Sequence, residues 1–172
     1  VGKLLFDGLK ASVDLNLNTP DMTSNGNYLK RWKIINNDRY LVKAGGKMIN
    51  QEPFNEVIAT KLYERLLNDN EYVKYEIIYD NGRAVSICKD FITTDTELIP
   101  AWKINEYYEK NEAENKYEHY IRCLNGLHIK DANALVDKML VCDFILANKD
   151  RHFNNFGVIR NVETLEFERV AP

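Results

Sequence analysis

A short polar stretch between two apolar segments constrains this 172-residue chain more than any other part of it. Asn148–Asn155 reads N-K-D-R-H-F-N-N, follows the nearly all-apolar Leu140–Ala147 and precedes Phe156–Ile159. Burying polar groups without partners is strongly unfavourable, so this stretch needs internal hydrogen bonds or a ligand. The pattern indicates a functional loop. An ordinary helix C-terminus followed by a turn rich in Asn and Asp would have a similar composition.

Two residues of this loop have the spacing that phosphoryl transfer uses. In the protein-kinase catalytic loop H-R-D-x-x-x-x-N, the Asp orients the attacking hydroxyl and the Asn holds magnesium. Asp150 and Asn155 reproduce the D-x-x-x-x-N half of this kinase pattern. In kinases a His-Arg pair precedes the aspartate, whereas here Arg151 and His152 follow it. The resulting N-x-D-R-H-x-x-N resembles the loop of HipA-like serine/threonine kinases and, more distantly, that of phosphoinositide kinases.

Composition argues against several other classes of protein. The chain is 45% hydrophobic and 28% charged, which is typical of a soluble globular protein. A net charge of −3 and the lack of a Lys/Arg run predict no nucleic-acid partner. No apolar run approaches the ~18 residues of a membrane span, and no signal peptide is evident. The lack of such a span predicts no membrane partner. Three widely spaced cysteines predict reduced, buried thiols and hence a cytoplasmic protein.

The first half of the chain has the signals of a small β-rich lobe. Strand-like runs flank Asn36–Asp38 and Asp80–Arg83, which predicts two hairpins. Between them, Pro53 and neighbouring acidic residues favour the start of a helix. Its apolar residues recur at helical spacing: Phe54, Val57, Ile58, Leu62 and Leu66.

Lys43 lies near the end of the second predicted strand. Most strand lysines are simply solvated. Protein kinases, however, place a phosphate-binding lysine on a strand and pair it with a glutamate of the next helix. Glu56, in the predicted first turn of the helix, is the candidate partner, and Glu52 is also within reach by sequence.

The polar segment Thr23–Asn27 precedes this strand pair and allows two interpretations. Its Asn-Gly pair is a strong signal for a plain hairpin turn. Alternatively, Ser24 and Gly26 belong to a nucleotide-covering loop whose backbone amides face phosphates.

The second half predicts helices around the polar loop. Asp131 is the candidate N-cap of a helix that runs to about Ala147 and is apolar around much of its circumference, so we expect a buried central helix. Surface helices are expected between Pro100 and Lys116, and a third hairpin around Asn161–Thr164. We predict two domains, 1–92 with a hinge near 88–95, and 93–172.

The order of these parts resembles HipA-like kinases from about Thr23 to Pro172, most specifically at Tyr40–Lys43, Glu52–Glu56 and Asn148–Asn155. The resemblance implies an α+β, bilobal protein-kinase-like fold with a small β-rich N-lobe, one helix in that lobe, and a truncated helical C-lobe. It also implies transfer of the γ-phosphoryl group of ATP to a Ser or Thr hydroxyl of a protein, with autophosphorylation of the polar loop at Thr23 or Ser24.

The same resemblance implies roles for individual residues in nucleotide binding. Lys43, positioned by Glu56, would hold the α and β phosphates. Lys89 and Phe91 would contact adenine through their backbone, and His152 would lie beside the nucleotide.

For catalysis, the resemblance implies that Asp150 aligns the protein hydroxyl and accepts its proton, while Asn155 binds Mg²⁺. Family members carry a second metal-binding Asp after the last hairpin, and this chain ends at Pro172 before such a residue. The first residue is not Met, and the remaining helices of a large lobe are missing, so we expect a fragment with weak activity. Two alternatives stay open: a binding or regulatory module without transfer, and a kinase for lipids or small molecules.

Overall fold

The computed structural model describes residues 30–46 and 48–171. Ser24 and Gly26, which one of the two interpretations places in a phosphate-facing loop, lie outside the described residues. The described chain divides into two compact units; the first ends at Phe91, and the second contains Leu67–Tyr72 and the chain from Ile92 onward. The domain boundary expected after residue 92 stays a prediction.

The first unit is a four-stranded antiparallel sheet with one helix. The strands have the order β1-β2-β4-β3. The elements are β1 (Lys30–Ile35), β2 (Asp38–Ala44), α1 (Glu52–Leu66), β3 (Tyr75–Asp80) and β4 (Arg83–Lys89). The predicted succession of hairpin, helix and hairpin is confirmed.

Both hairpins of this unit owe their tight turns to residues that tolerate a positive φ. Asn36 and Asn37 have φ values of 51° and 67°, and Asn81 and Gly82 have values of 51° and 76°. Positive φ at both central residues matches the type I′ turn, whose twist suits two-residue hairpins. Local backbone preference therefore determines where these strands reverse direction.

The two faces of this sheet carry different chemistry. Consecutive strand residues point to opposite faces, so Val42 and Lys43 of β2 face opposite sides. Val42 packs in an apolar cluster with Ile78, Val85 and Ile87. Lys43 lies on the other face, where its side chain contacts α1.

The second unit combines a three-stranded antiparallel sheet, in the order β5-β6-β7, with three helices. Its elements are β5 (Thr96–Pro100), α2 (Ala101–Asn105), α3 (Lys116–Gly126), α4 (Ala132–Ile145), β6 (Gly157–Asn161) and β7 (Phe167–Ala171). The hairpin expected around Asn161–Thr164 is confirmed. Strand β5 was not anticipated, because a five-residue strand ending in proline has little local signal and forms by pairing with the distant β6.

Helix α4 is less buried than the central helix that the sequence predicted. It buries one face through Ala132, Val136, Met139, Cys142 and Asp143. The other side of the helix is exposed. Phe144 is 86% exposed there, and three further apolar residues are also exposed: Leu140, Val141 and Ile145. Apolar composition alone could not reveal that the second unit covers only one side of this helix.

Asp131 occupies the N-cap position of α4, but the expected side-chain cap is absent. Its φ of 53° places the residue in the left-handed region, whereas a capping residue usually has extended backbone that aims its side chain at the first-turn amides.

Among the described helices, none combines the length and apolarity that crossing a membrane requires. The three cysteines, Cys88, Cys123 and Cys142, are free and buried, as predicted.

Candidate functional site

Lys43 lies on β2, an inner strand of the sheet that has β1 on one side and β4 on the other. Its partner on β4 is Ser86. Its ammonium Nζ is 2.9 Å from Oε1 of Glu56 on α1. The Lys43 side chain is 25% exposed, so the ammonium is neither buried nor freely solvated. A pair held in this way limits the lysine's rotamers while leaving the ammonium's remaining hydrogens available to a ligand.

The structure distinguishes between the two glutamates that the sequence left open. Glu52 accepts a hydrogen bond from the backbone N–H of Gly46 at 2.9 Å, whereas Glu56 accepts from Lys43. Both lie on one side of α1 because they are four residues apart. Since α1 begins at Glu52, Glu56 opens the second turn and does not lie in the first turn, where the sequence had placed it.

The residues expected near adenine end the first unit. Lys89 is the last residue of β4, and its Nζ lies 2.8 Å from Oδ2 of Asp38. Phe91 follows in irregular structure and is half-buried. Asp90, between them, donates its backbone N–H to the carbonyl of Arg39 at 2.8 Å. The adenine-binding roles of Lys89 and Phe91 stay predictions.

The polar loop of the second unit is attached to α4 through a buried carboxylate. Asp143 is 5% exposed. Arg151 donates to it through Nε at 2.5 Å and through Nη2 at 2.8 Å. Asn148 Nδ2 donates to the same carboxylate at 2.8 Å. We call Asp143, Asn148 and Arg151 the loop clamp.

The backbone then turns so that Asp150 faces solvent. Ala147 adopts a φ of 51°, and the Asn148 side chain accepts the backbone N–H of Asp150 at 3.1 Å. The Asp150 side chain is 90% exposed, and His152 Nε2 lies 3.9 Å from its Oδ1. Its carboxylate therefore lies outside the loop clamp and is accessible to solvent and to a ligand.

Asn155 closes the loop with both ends of its carboxamide. Its Nδ2 donates to the carbonyl of Asp150, and its Oδ1 accepts the backbone N–H of His152 at 3.2 Å. Because these partners differ in kind, they define which end of the amide is oxygen. An amide oxygen has two lone pairs, so Oδ1 retains one for a hard cation such as Mg²⁺.

Aromatic residues anchor the far end of the loop. The rings of Phe153 and Phe156 lie 5.3 and 5.5 Å from that of Tyr120 on α3, measured between centroids. The carbonyls of Phe156 and Phe153 accept the N–H groups of Ala101 and Trp102 at 3.0 and 3.1 Å. These amides open α2 and have no partner within that helix. The loop is thus held by apolar packing on one side and by backbone bonds on the other.

Sequence reasoning missed the loop clamp, although a signal for it existed. Asp143 is the only charged residue within Leu140–Ala147. A carboxylate in such an apolar segment is seldom buried without a charged partner, and Arg151, eight residues later, is the nearest arginine that follows it in the sequence.

Candidate metal ligands in this loop are few. In the described parts of the chain, no three or more His, Cys, Asp or Glu residues come together as a group that could hold a metal. Asn155 Oδ1 could therefore supply one neutral ligand of an ion whose other ligands come mainly from elsewhere.

The two sets of candidate residues belong to separate units of the chain. Lys43, Glu56, Lys89 and Phe91 lie in the first unit. Asp150, His152 and Asn155 lie in the second, where the loop brings them together.

Comparison with known proteins addresses the fold. No family model matches the sequence, and no curated protein matches it either. Among solved structures, the crystal structure of a Helicobacter pylori proinflammatory kinase, CtkA, is similar, with a TM-score of 0.66 and 24% sequence identity. The match covers 83% of this chain and 52% of CtkA, so the chain spans about half the length of that neighbour. The expected α+β architecture is thereby confirmed, and the chain has a kinase-like fold.

Proposed function

We propose that this chain forms the nucleotide-binding and catalytic part of an ATP-dependent serine/threonine protein kinase of the HipA-like kind. The observation that carries the proposal is the 2.9 Å ion pair between Lys43 on β2 and Glu56 on α1. The same strand-to-helix pair positions the phosphate-binding lysine of protein kinases. The resemblance of Asn148–Asn155 to the HipA-like catalytic loop supports the finer assignment.

In this proposal, Lys43 holds the α and β phosphates of ATP. An ammonium is a compact charge with three donors, so it can keep its bond to Glu56 and donate to phosphate oxygens as well. Ser24 and Gly26 would cover the phosphates. The backbone of Lys89 and Phe91 would bind the adenine edge, and His152 would lie beside the nucleotide.

Asp150 would align the acceptor hydroxyl and take its proton. The exposure of its carboxylate suits this role, because a group consumed by internal contacts could not meet a substrate. Asn155 Oδ1 would be one ligand of Mg²⁺, an ion that commonly takes its other ligands from phosphates and water. When bound, Mg²⁺ supplies positive charge that stabilises the transferring phosphoryl group.

The acceptor is proposed to be a Ser or Thr hydroxyl of a protein, including Thr23 or Ser24 of this chain. The test is incubation with γ-labelled ATP and magnesium, with and without added protein, lipid or small-molecule acceptors. The assay uses the 172-residue chain and, in parallel, the chain with any sequence that flanks it in the natural protein. Label on protein supports the proposal. Nucleotide binding without transfer would favour a regulatory module, and label only on lipid or small molecules would favour another class of kinase.

Replacing Lys43 with Ala should weaken ATP binding by about 10- to 100-fold, because hydrogen bonds to charged groups contribute about 1.5–3 kcal/mol each. The measurement is the dissociation constant for ATP by titration calorimetry. Lys61→Ala is the matched control, since Lys61 forms a comparable pair with Glu64, at 2.7 Å, on the exposed surface of α1. Equal ATP affinity in the Lys43 and Lys61 variants would contradict the role of Lys43.

A further inference from the structure

The environment of Lys43 contains a third group besides Glu56. Tyr75 is the first residue of β3, and the centroid of its ring lies 4.4 Å from the Lys43 Nζ. A cation within about 6 Å of an aromatic centroid is attracted by the negative face of the ring. The ammonium is therefore in contact with both a carboxylate and an aromatic ring.

The register of the sheet explains how the ring reaches the lysine. Lys43 pairs with Ser86, and Tyr75 pairs with Cys88, two residues further along the central strand β4. Ser86 and Cys88 lie on one face because they are two residues apart. Both side chains are small, so the long side chains of Lys43 and Tyr75 can meet across the strand between them.

A buried hydroxyl links Tyr75 to the helix that carries Glu56. Thr60 is 1% exposed. Its Oγ1 donates to the carbonyl of Glu56 at 3.0 Å and accepts the backbone N–H of Tyr75 at 2.9 Å. The turn of α1 that presents Glu56 and the start of β3 are thus hydrogen-bonded to the same atom. The two groups that contact Lys43 are held in a common frame.

The phenol of Tyr75 remains neutral in this setting. Burial and the negative charge of Glu56 raise the pKa of Tyr75 well above its ordinary value. The tyrosine therefore acts toward Lys43 through its ring and does not compete with Glu56 as a second anion.

We infer that Tyr75 is a positioning residue for Lys43: its ring and the Glu56 carboxylate together hold the ammonium in the orientation that binds the phosphates of ATP. The inference rests on the proposed nucleotide-binding role of Lys43 and adds a residue that the sequence motifs do not mark. The single contact with Glu56 limits the rotamers of Lys43 but still lets the ammonium pivot about the carboxylate oxygen. A ring on a second element also restrains its direction, which lowers the conformational entropy lost on binding.

The test distinguishes the electrostatic contribution of the Tyr75 ring from that of its shape. It also distinguishes an effect on phosphate binding from an effect on folding. Dissociation constants for ATP and for adenosine are measured for the wild type, Tyr75→Phe, Tyr75→Leu and a variant in which pentafluorophenylalanine replaces Tyr75. Tyr75→Phe should bind ATP as the wild type does. Tyr75→Leu and the fluorinated variant should bind ATP roughly fivefold more weakly, with adenosine unchanged, because only the phosphates need Lys43.

Tyr79→Leu is the matched control, since Tyr79 is an exposed tyrosine of the same strand. If Tyr75→Leu does not fold, the fluorinated ring decides the question, because it keeps the aromatic shape. Wild-type ATP affinity in the fluorinated variant, or an equal loss for ATP and adenosine, would overturn the inference while leaving the proposed function intact. If the wild type binds no ATP, the proposed function and the inference both fall.

Discussion

We expect Asp150→Asn to lower phosphoryl transfer by about 10²- to 10⁴-fold, the contribution typical of a positioned general base. The carboxamide keeps the shape of the side chain but cannot accept the hydroxyl proton. Stability should change by less than about 0.5 kcal/mol, because the side chain is 90% exposed. ATP affinity should stay within a few-fold of the wild-type value, since the proposed phosphate contacts belong to Lys43. The measurements are single-turnover transfer from γ-labelled ATP, the ATP dissociation constant and thermal unfolding.

Asp131→Asn provides the matched control for this variant. Asp131 is an exposed aspartate of the same unit, and its side chain makes no cap hydrogen bond. Asn also tolerates the left-handed backbone at that position. Transfer by the Asp131 variant should equal that of the wild type. Unimpaired transfer in the Asp150 variant would exclude Asp150 as the catalytic residue.

The second large effect is one of stability. Asp143→Ala should reduce the free energy of unfolding by about 3–5 kcal/mol, because it leaves the guanidinium of Arg151 without the carboxylate that it contacts through two nitrogens. Asn148 would lose the same acceptor. The measurement is urea unfolding of the wild type and the variant.

An ion pair with similar chemistry but greater exposure gives the comparison. Arg160 contacts Oε1 of Glu97 through Nη2 at 2.7 Å and Nε at 3.0 Å, and both side chains are partly exposed. Glu97→Ala should therefore lower stability by only about 0–1 kcal/mol. Similar losses in the two variants would show that the loop clamp contributes no more than a surface pair.

The sequence by itself determined the features that depend on neighbouring residues. Asn36-Asn37 and Asn81-Gly82 specify two-residue turns, since few other residues accept a positive φ at both central positions. Between the hairpins, Pro53 and the helical spacing of apolar residues specify α1. The resemblance of Asn148–Asn155 to a kinase catalytic loop was also visible, because these residues are close together in the chain.

Only the tertiary structure decided features that depend on distant partners. Lys43 pairs with Glu56 and not Glu52 because of the way α1 lies across the sheet, an arrangement that no local pattern encodes. The exposed face of α4 has the same origin, since composition reports how apolar a helix is but not which side its neighbours cover. Tyr75 meets Lys43 because sheet pairing brings together residues that are far apart in sequence. Asp143 and Arg151 are only eight residues apart, but the burial of their ion pair depends on the packing around it. The free energy of such contacts depends on distance and burial, and these quantities exist only once the chain has folded.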